Sequence, residues 1–309
     1  MQDGIGAQLL PLGLAVIMVG IGLTLTPTQF RRSVNSTATV TWGLIGQVVV
    51  VPLIALALAF ILNLSPVLAV GLMLLAAAPG GVTTNLFAHL AKGNVPLSIV
   101  LTVITSILMM ATLPLWVWVT VRLFEDVTGD VGAVTVPPGE AIGLVVGVVG
   151  VPVIIGMMIR AKSERIAAKL EKIIAIVGVV VLVGVFAFLA IDLGDELGPL
   201  LREVGLAVII FNALVMVAGW AIGAILKRPV EDKVTLAVEF GLRNSTMSMV
   251  IALSVIGSTE IAAPAMLFSV TMYIFGVGLL VWRRTASKKQ TSDAPTAAAE
   301  GAGVTVPQV

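Results

Sequence analysis

The chain has 309 residues, of which 58% are hydrophobic and only 11% are charged. Soluble domains carry about 25% charged residues, so this composition excludes a soluble protein and indicates a polytopic membrane protein. Cysteine is absent and histidine occurs once, which excludes disulfides and thiolate metal centres and leaves no catalytic cluster for an enzyme. We therefore predict a membrane protein that is not an enzyme.

The predicted elements are transmembrane helices, each of which needs about 20 apolar residues to cross a bilayer. The N-terminus lacks a basic segment, so the first apolar run is predicted to be a retained helix and not a cleaved signal peptide. Residues 287–309, which are poor in apolar side chains, are predicted to form a disordered cytoplasmic tail after a transporter domain at 1–286. Breaks at charged and turn-rich segments predict nine helices, near 8–26, 38–62, 66–91, 95–123, 140–160, 172–191, 201–226, 234–256 and 260–282.

The distribution of basic residues predicts the orientation of these helices. All Lys and Arg residues except Arg122, Arg202 and Arg243 fall in the loops after odd-numbered helices or in the tail. Because basic residues are enriched in cytoplasmic loops, the N-terminus is predicted to lie outside and the C-terminus in the cytoplasm.

Two predicted helices are interrupted by polar or helix-breaking residues. The third contains the run from Ala78 through Pro79-Gly80-Gly81 to Asn85, and the eighth contains Glu239 to Ser245. Proline and glycine alone are consistent with a kink. Discontinuous helices in corresponding positions of two repeats, however, are how many secondary transporters build their binding sites. The paired breaks, one of them carrying a carboxylate, therefore favour a transporter site.

These runs resemble the two signatures of the bile acid:sodium symporter family, of the bacterial, apical sodium-dependent bile acid transporter type. Pro79 to Asn85 with Leu97-Ser98 is similar to the first signature, and Glu239 to Asn244 is similar to the second. The resemblance implies an all-α, inverted-repeat transporter with two broken, crossing helices in the plasma membrane. It implies a core domain at 38–123 and 201–282 and a panel domain at 8–26 and 140–191. Sodium would drive uptake of an organic anion by alternating access.

The resemblance also implies sites for one or two sodium ions as coupling ions. Every residue of the first site presents an oxygen, the ligand type that hard cations prefer. Ser98 and Thr102 are one helical turn apart and share a face, although such hydroxyls more commonly bond to their own helix. The first site would comprise Thr84, Asn85, Ser98, Thr102 and Glu239. The second would comprise Gln47, Glu239, Phe240, Leu242 and Arg243, but arginine has no acceptor atom, which puts this site in doubt.

Three roles for Arg243 are open. It neutralises Glu239 as a built-in cation four residues away, which would leave one sodium per cycle; it binds a substrate carboxylate; or it extends to an aqueous face. The predicted substrate-binding residues are Thr83, Asn85, Arg243, Asn244 and Ser245.

The cargo predicted by the resemblance is a bile-acid-like steroid or a small keto or hydroxy acid such as pantoate. Alternatives are a sodium-independent or single-sodium carrier and a binding-only sensor. The predicted surroundings are the small anion and the lipid bilayer, with no nucleic acid, and the protein is predicted to be monomeric.

Overall fold

The computed structural model describes residues 37–128, 147 and 150–300, together with residues 13, 15, 16, 18–20, 22 and 23 near the N-terminus. Within these ranges every regular element is a helix, which confirms the all-α prediction for this part of the chain. The helices are α1 (Thr37–Ile61), α2 (Pro66–Ala77), α3 (Val82–Leu90), α4 (Val95–Thr128), α5 (Val151–Lys162), α6 (Glu164–Leu193), α7 (Leu197–Ile225), α8 (Val230–Gly241), α9 (Ser245–Ile251) and α10 (Thr259–Glu300).

Four of the described helices are long and apolar enough to cross a membrane. They are Thr37–Ile61, Val95–Phe124, Leu197–Ile225 and the Thr259–Thr285 part of α10. The pairs α2 with α3 and α8 with α9 replace two further continuous helices with broken ones, as predicted from the sequence. The prediction of nine helices also depends on residues outside the described ranges and stays a prediction.

Each break follows from the local sequence. The first interrupts the chain between Ala77 and Val82, because proline at position 79 cannot continue a helix and disfavours helical geometry at Ala78. In the second, Leu242 is extended and Asn244 begins α9, where its Oδ1 accepts a hydrogen bond from the Met247 amide at 3.0 Å. Both chain segments therefore leave and re-enter helical geometry within a few residues.

The two breaks contact each other inside the bundle. The Asn244 amide donates to the Pro79 carbonyl at 2.9 Å, and Arg243 Nη1 donates to the Ala78 carbonyl at 2.6 Å. One turn further along α9, Ser248 Oγ donates to the Leu74 carbonyl at 3.3 Å. Backbone groups that lack helical partners at one break therefore form hydrogen bonds to the other break.

Small residues allow close helix packing around and away from this contact. A Cβ on Gly219 of α7 would collide with the Leu236 carbonyl of α8, so these two helices touch through their backbones. A second close contact lies nearer the N-terminus. A Cβ on Gly22 would collide with the backbone of α5, and a Cβ on Gly156 of α5 would collide with the backbone around Gly22. The helical segment that contains Gly22, which precedes α1, therefore packs on α5.

The last helix extends beyond its predicted end. The sequence predicts an end near 282 and a disordered tail from 287, whereas α10 is helical through Glu300. Alanine, which is frequent after residue 285, has the highest helix propensity, so the local sequence favours a longer helix. Residues 301–309 lie outside the described ranges.

Candidate ion and substrate site

Glu239 lies on α8, two residues before the helix ends, and its side chain is fully buried. Two hydroxyls of α4 reach it. Ser98 Oγ is 2.5 Å from Oε1, and Thr102 Oγ1 is 3.1 Å from Oε1 and 3.2 Å from Oε2. The helical spacing of Ser98 and Thr102 therefore does bring both hydroxyls to one carboxylate.

The first turn of α3 supplies further oxygens to the same place. Thr84 Oγ1 lies 3.4 Å from Thr102 Oγ1 and donates to the Gly81 carbonyl at 2.6 Å. Asn85 Oδ1 lies 2.8 Å from Ser98 Oγ. All five residues predicted for the first sodium site thus lie together, and we call Thr84, Asn85, Ser98, Thr102 and Glu239 the Glu239 cluster.

In the Glu239 cluster, acceptor oxygens outnumber the hydroxyl hydrogens that could be donated to them. Ser98 has one hydroxyl hydrogen but two acceptors within reach, Asn85 Oδ1 and Glu239 Oε1. The Thr84 hydroxyl hydrogen is directed to the Gly81 carbonyl, and Thr102 has one hydrogen for two carboxylate oxygens. A cluster of this kind, with a negative charge and surplus lone pairs, suits a hard cation such as sodium.

Gly80 makes room for this arrangement. A Cβ at this position would lie 3.0 Å from Glu239 Oε2, 3.0 Å from Thr84 Oγ1 and 3.2 Å from Thr102 Oγ1. The sequence identified Gly80 only as a helix breaker. Its second role, to let the backbone approach three oxygens, becomes visible only when the three helices are assembled.

Arg243 is also buried, with 2% of its surface exposed, but it faces elsewhere. Nη1 donates to the Ala78 carbonyl at 2.6 Å and Nε to the Phe240 carbonyl at 3.3 Å. These carbonyls lie at the C-terminal ends of α2 and α8, where unpaired carbonyls and the helix dipole favour a cation. The guanidinium therefore caps one half of each broken helix.

A small cavity lies between Arg243, α1 and α4. It has a volume of about 10 Å³, enough for about one water molecule. It is lined by Gln47, Val48, Pro52, Ala77, Ala78, Pro79, Thr105, Met109, Thr112, Trp116 and Arg243. Gln47 belongs to a π-helical turn, Gly46–Val50, and is 2% exposed. Its Nε2 and Oε1 have no hydrogen-bond partner, and neither does Arg243 Nη2. We call this space the Arg243 cavity.

Comparison with known proteins identifies the family of this chain. The sequence profile described as the sodium bile acid symporter family matches residues 11–196. The chain belongs to this family.

Named relatives in three kinds of organism extend this result. The uncharacterized sodium-dependent transporter YocS of Bacillus subtilis is 29% identical over 281 residues, which cover 90% of this chain and 84% of YocS. The probable chloroplastic sodium/metabolite cotransporter BASS1 of Arabidopsis thaliana is 29% identical over 283 residues, 90% of this chain and 67% of that protein. Mouse sodium/bile acid cotransporter 4 is 29% identical over 232 residues, which cover 75% of this chain and 52% of the mouse protein.

The family and these relatives are transporters, which confirms the prediction that this chain is a transporter and not an enzyme. Sodium dependence in the names of the relatives supports sodium as the coupling ion. The bile acid symporter resemblance inferred from the two broken helices is likewise confirmed.

The structure bears differently on the three roles considered for Arg243. No direct hydrogen bond or salt bridge joins Arg243 to Glu239, because α8 ends at Gly241, between them, so a neutralising role would have to act through space. The third role, extension to an aqueous face, does not fit a side chain that is 2% exposed.

Two of the groups predicted for a second sodium site have other roles in the structure, or none. The Phe240 carbonyl accepts a hydrogen bond from Arg243, and Gln47 has no bond to Glu239 or to any other described group. A guanidinium thus occupies a position where the prediction required an acceptor oxygen.

The other predicted substrate residues lie around the breaks. Asn85 belongs to the Glu239 cluster, Asn244 caps α9 through its side chain, and Ser245 is buried in the first turn of that helix. Thr83 is half-buried in the first turn of α3.

Sequence reasoning missed Asn212, a fully buried residue of α7. Its Nδ2 donates to the Gly241 carbonyl at 2.9 Å and so fixes the end of α8 between Glu239 and Arg243. A single asparagine inside an apolar helix was the available signal, because buried amides in a membrane need partners.

Proposed function

We propose that the protein imports an organic anion together with sodium, and that the Glu239 cluster holds the sodium ion. The observation that supports this proposal is the surplus of acceptor oxygens around a buried carboxylate. Without a cation, a charged carboxylate at this depth is costly to keep. With sodium bound, the ion would satisfy the surplus lone pairs and neutralise the charge.

The cluster gives sodium a way to control conformation. Its ligands come from one half of each broken helix, α3 and α8, and from α4. A bound ion would therefore hold the two breaks together, and its release would loosen them. Alternating access would follow if only the ion-bound, charge-neutral core crosses the membrane readily.

We propose the core and panel domains in the ranges predicted from the sequence. The contacts of α2, α4, α7, α8 and α10 surround both breaks, as a core requires. The backbone contact between Gly22 and Gly156 joins the first helix to α5, as a panel of the first, fifth and sixth helices requires. The N-out orientation in the plasma membrane and the monomeric state belong to the same proposal.

We propose that one sodium ion moves per cycle, because Arg243 is a fixed cation at the carbonyls of Ala78 and Phe240. This role does not need a direct bond to Glu239, because the guanidinium acts on the two helix ends. One sodium with a monoanion carries no net charge. Two would carry one positive charge, worth about 2.3 kcal/mol at 100 mV.

Uptake by proteoliposomes under a sodium gradient tests transport and stoichiometry together. We expect labelled anion to accumulate with an inward sodium gradient and not with potassium, and the rate to change little when a potassium diffusion potential is imposed. A strong dependence on potential would overturn the single-sodium mechanism. Saturable binding without accumulation would instead assign a binding-only sensor.

Sodium binding can be measured without knowing the anion. A ligand that binds the folded state raises its stability by RT ln(1 + [L]/Kd), so sodium should raise the melting temperature of the purified protein more than potassium does. If sodium and potassium act alike, the proposal for the Glu239 cluster is wrong.

A further inference from the structure

Besides the Glu239 cluster, a second polar contact joins α4 to α8, at the N-terminal ends of both helices. Asn94 Nδ2 donates to Asp232 Oδ1 at 2.8 Å, and the Asn94 amide donates to Thr235 Oγ1 at 2.7 Å. Asp232 and Thr235 are buried, with 3% and 0% of their surfaces exposed. We call Asn94, Asp232 and Thr235 the Asn94 contact.

The polar side-chain atoms of the Asn94 contact are all paired. Asn94 precedes α4 and caps it, because its Oδ1 accepts a hydrogen bond from the Leu97 amide at 3.1 Å. The second carboxylate oxygen of Asp232 accepts from Arg228 Nε at 3.1 Å. A buried carboxylate without partners is strongly unfavourable, so these bonds fix Asp232 between Asn94 and Arg228.

Gly93 allows the loop between α3 and α4 to lie directly on α8. A Cβ at this position would lie 2.6 Å from Thr235 Oγ1 and 3.1 Å from the Ala88 carbonyl. The Gly93 amide donates to the same Ala88 carbonyl at 2.8 Å, which fixes the loop to the end of α3. The absence of a side chain therefore lets the two backbones approach closely.

The Asn94 contact and the Glu239 cluster share one register. Asn94 pairs with Thr235, and Ser98, four residues later, pairs with Glu239, which also lies four residues later. Both pairs are 141 positions apart in the chain, so α4 and α8 run side by side in the same direction. Because residues four apart share a helix face, the two contacts are successive steps along one interface.

This register matters to an ion because the ligands of the Glu239 cluster come from separate helices. A binding constellation has to be held within about 0.5 Å of its working geometry. Before an ion binds, the buried charge of Glu239 is unfavourable and would favour separation of the two helices. A contact one helical turn away, which does not need the ion, can hold α8 against α4 in that state.

We propose that the Asn94 contact positions the ligands of the sodium site. It fixes α8 against α4, so that the Glu239 carboxylate meets the two hydroxyls of α4 before sodium binds. Asn94, Asp232 and Thr235 are therefore positioning residues, since they supply no atom to the Glu239 cluster. The inference rests on the proposed sodium site and extends it to residues one turn and more away.

An exchange of two side chains tests the proposal. Asn94→Asp places two carboxylates against each other, and Asp232→Asn leaves one acceptor oxygen for two donors. In the double variant the introduced amide donates to the introduced carboxylate and accepts from Arg228. Every hydrogen bond of the contact can then form again, with the direction of one of them reversed.

The measurement is the melting temperature of the purified protein as sodium replaces potassium at constant ionic strength. Its value in potassium alone reports stability, and its dependence on sodium concentration reports sodium affinity. We expect each single variant to bind sodium about five- to tenfold more weakly than the wild type. The double variant should bind sodium within about twofold of the wild type. A contact that only stabilises the fold would lower the melting temperature and leave sodium affinity unchanged.

Glu231→Gln is the matched control. Glu231 is the neighbour of Asp232 on α8, but its carboxylate pairs with Arg283 and so joins α8 to α10. This variant should bind sodium as the wild type does.

A milder pair of variants decides the question if the exchanged residues prevent folding. Thr235→Val removes the oxygen that accepts from the Asn94 amide, whereas Thr235→Ser keeps it. We expect sodium affinity to fall about threefold in the valine variant and to stay at the wild-type value in the serine variant.

The outcomes separate this inference from the proposed sodium site. Weaker sodium binding in the single variants that the double variant restores supports the positioning role. Wild-type affinity in the single variants and in Thr235→Val overturns it, as does a double variant that recovers stability without affinity. If sodium and potassium act alike on the wild type, the sodium site itself is wrong and this inference is wrong with it.

Discussion

The Glu239 cluster and the Arg243 cavity adjoin the same contact between two broken helices, yet their hydrogen bonding is opposite. In the Glu239 cluster, acceptor oxygens outnumber hydrogens around a negative charge. In the Arg243 cavity, one guanidinium nitrogen and both polar atoms of the Gln47 side chain have no hydrogen-bond partner. The first arrangement suits a cation, whereas the second has unused donors beside a positive charge.

This difference in hydrogen bonding arises because α8 ends between Glu239 and Arg243, which are four positions apart. Glu239 lies inside α8, whereas Arg243 lies beyond its end at Gly241. Had the helix continued, the two side chains would have shared one face and neutralised each other. The helix end directs them to separate partners, hydroxyls of α4 for the carboxylate and helix-end carbonyls for the guanidinium. The broken helix therefore gives the two opposite charges different hydrogen-bond partners, which the proposed transport of a cation with an anion would use.

The largest expected effect is that of Glu239→Gln on sodium. The substitution removes the negative charge and replaces one carboxylate oxygen by a donor, so sodium affinity should fall at least about 100-fold, or about 2.7 kcal/mol. The measurement is the sodium-dependent melting shift.

The control for this variant is Glu231→Gln, on the same helix, where the carboxylate is half-exposed and pairs with Arg283 at 3.0 Å. It should respond to sodium as the wild type does. A full sodium shift in Glu239→Gln would show that the carboxylate is not a sodium ligand.

Gly80→Ala and Gly81→Ala test the space inside the Glu239 cluster. The Gly80 methyl would lie within 3.0–3.2 Å of three oxygens of the cluster, whereas the Gly81 methyl would meet only Thr83 Oγ1, at 3.6 Å. We expect Gly80→Ala to weaken sodium binding at least about tenfold, because the methyl competes with the ion for those oxygens. Gly81→Ala should have little effect. Equal effects of the two variants would contradict the proposed position of the ion.

Ser98→Ala should have a smaller effect. One neutral hydroxyl ligand is lost while the charge remains, so sodium affinity should fall by about three- to tenfold, in the range of a single hydrogen bond. Ser106→Ala is the control, because Ser106 is equally buried on α4 but donates to the Thr102 carbonyl of its own helix at 2.7 Å. If both variants bind sodium as the wild type does, Ser98 has only the helix-bonding role that is common in membranes.

Sequence reasoning predicted the two helix breaks from local patterns, whereas it predicted the Glu239 cluster only through the family resemblance. Apolar runs, Pro79 and the acidic residue at 239 mark the helices and their breaks. The one-turn spacing of Ser98 and Thr102 also fixes which face they share.

The Arg243 cavity could not be predicted in the same way. Its unpaired atoms depend on where α8 ends and on which wall groups are already used, and neither is encoded in a short motif. For the same reason the i and i+4 spacing of Glu239 and Arg243 could not show that α8 ends between them and that no direct salt bridge joins them. The second role of Gly80 and the contact of Asn212 were missed because the groups they approach belong to other helices.

Asn212→Ala tests whether the end of α8 needs this distant support. The variant removes the donor to the buried Gly241 carbonyl, so stability should fall by about 1–3 kcal/mol, seen as a lower melting temperature without ligands. Sodium affinity should not change, because Asn212 contacts no residue of the Glu239 cluster through its described hydrogen bond. If sodium affinity also falls, the Asn212 contact is needed to hold Glu239 in place, and the helix end that separates the carboxylate from Arg243 is part of the ion site itself.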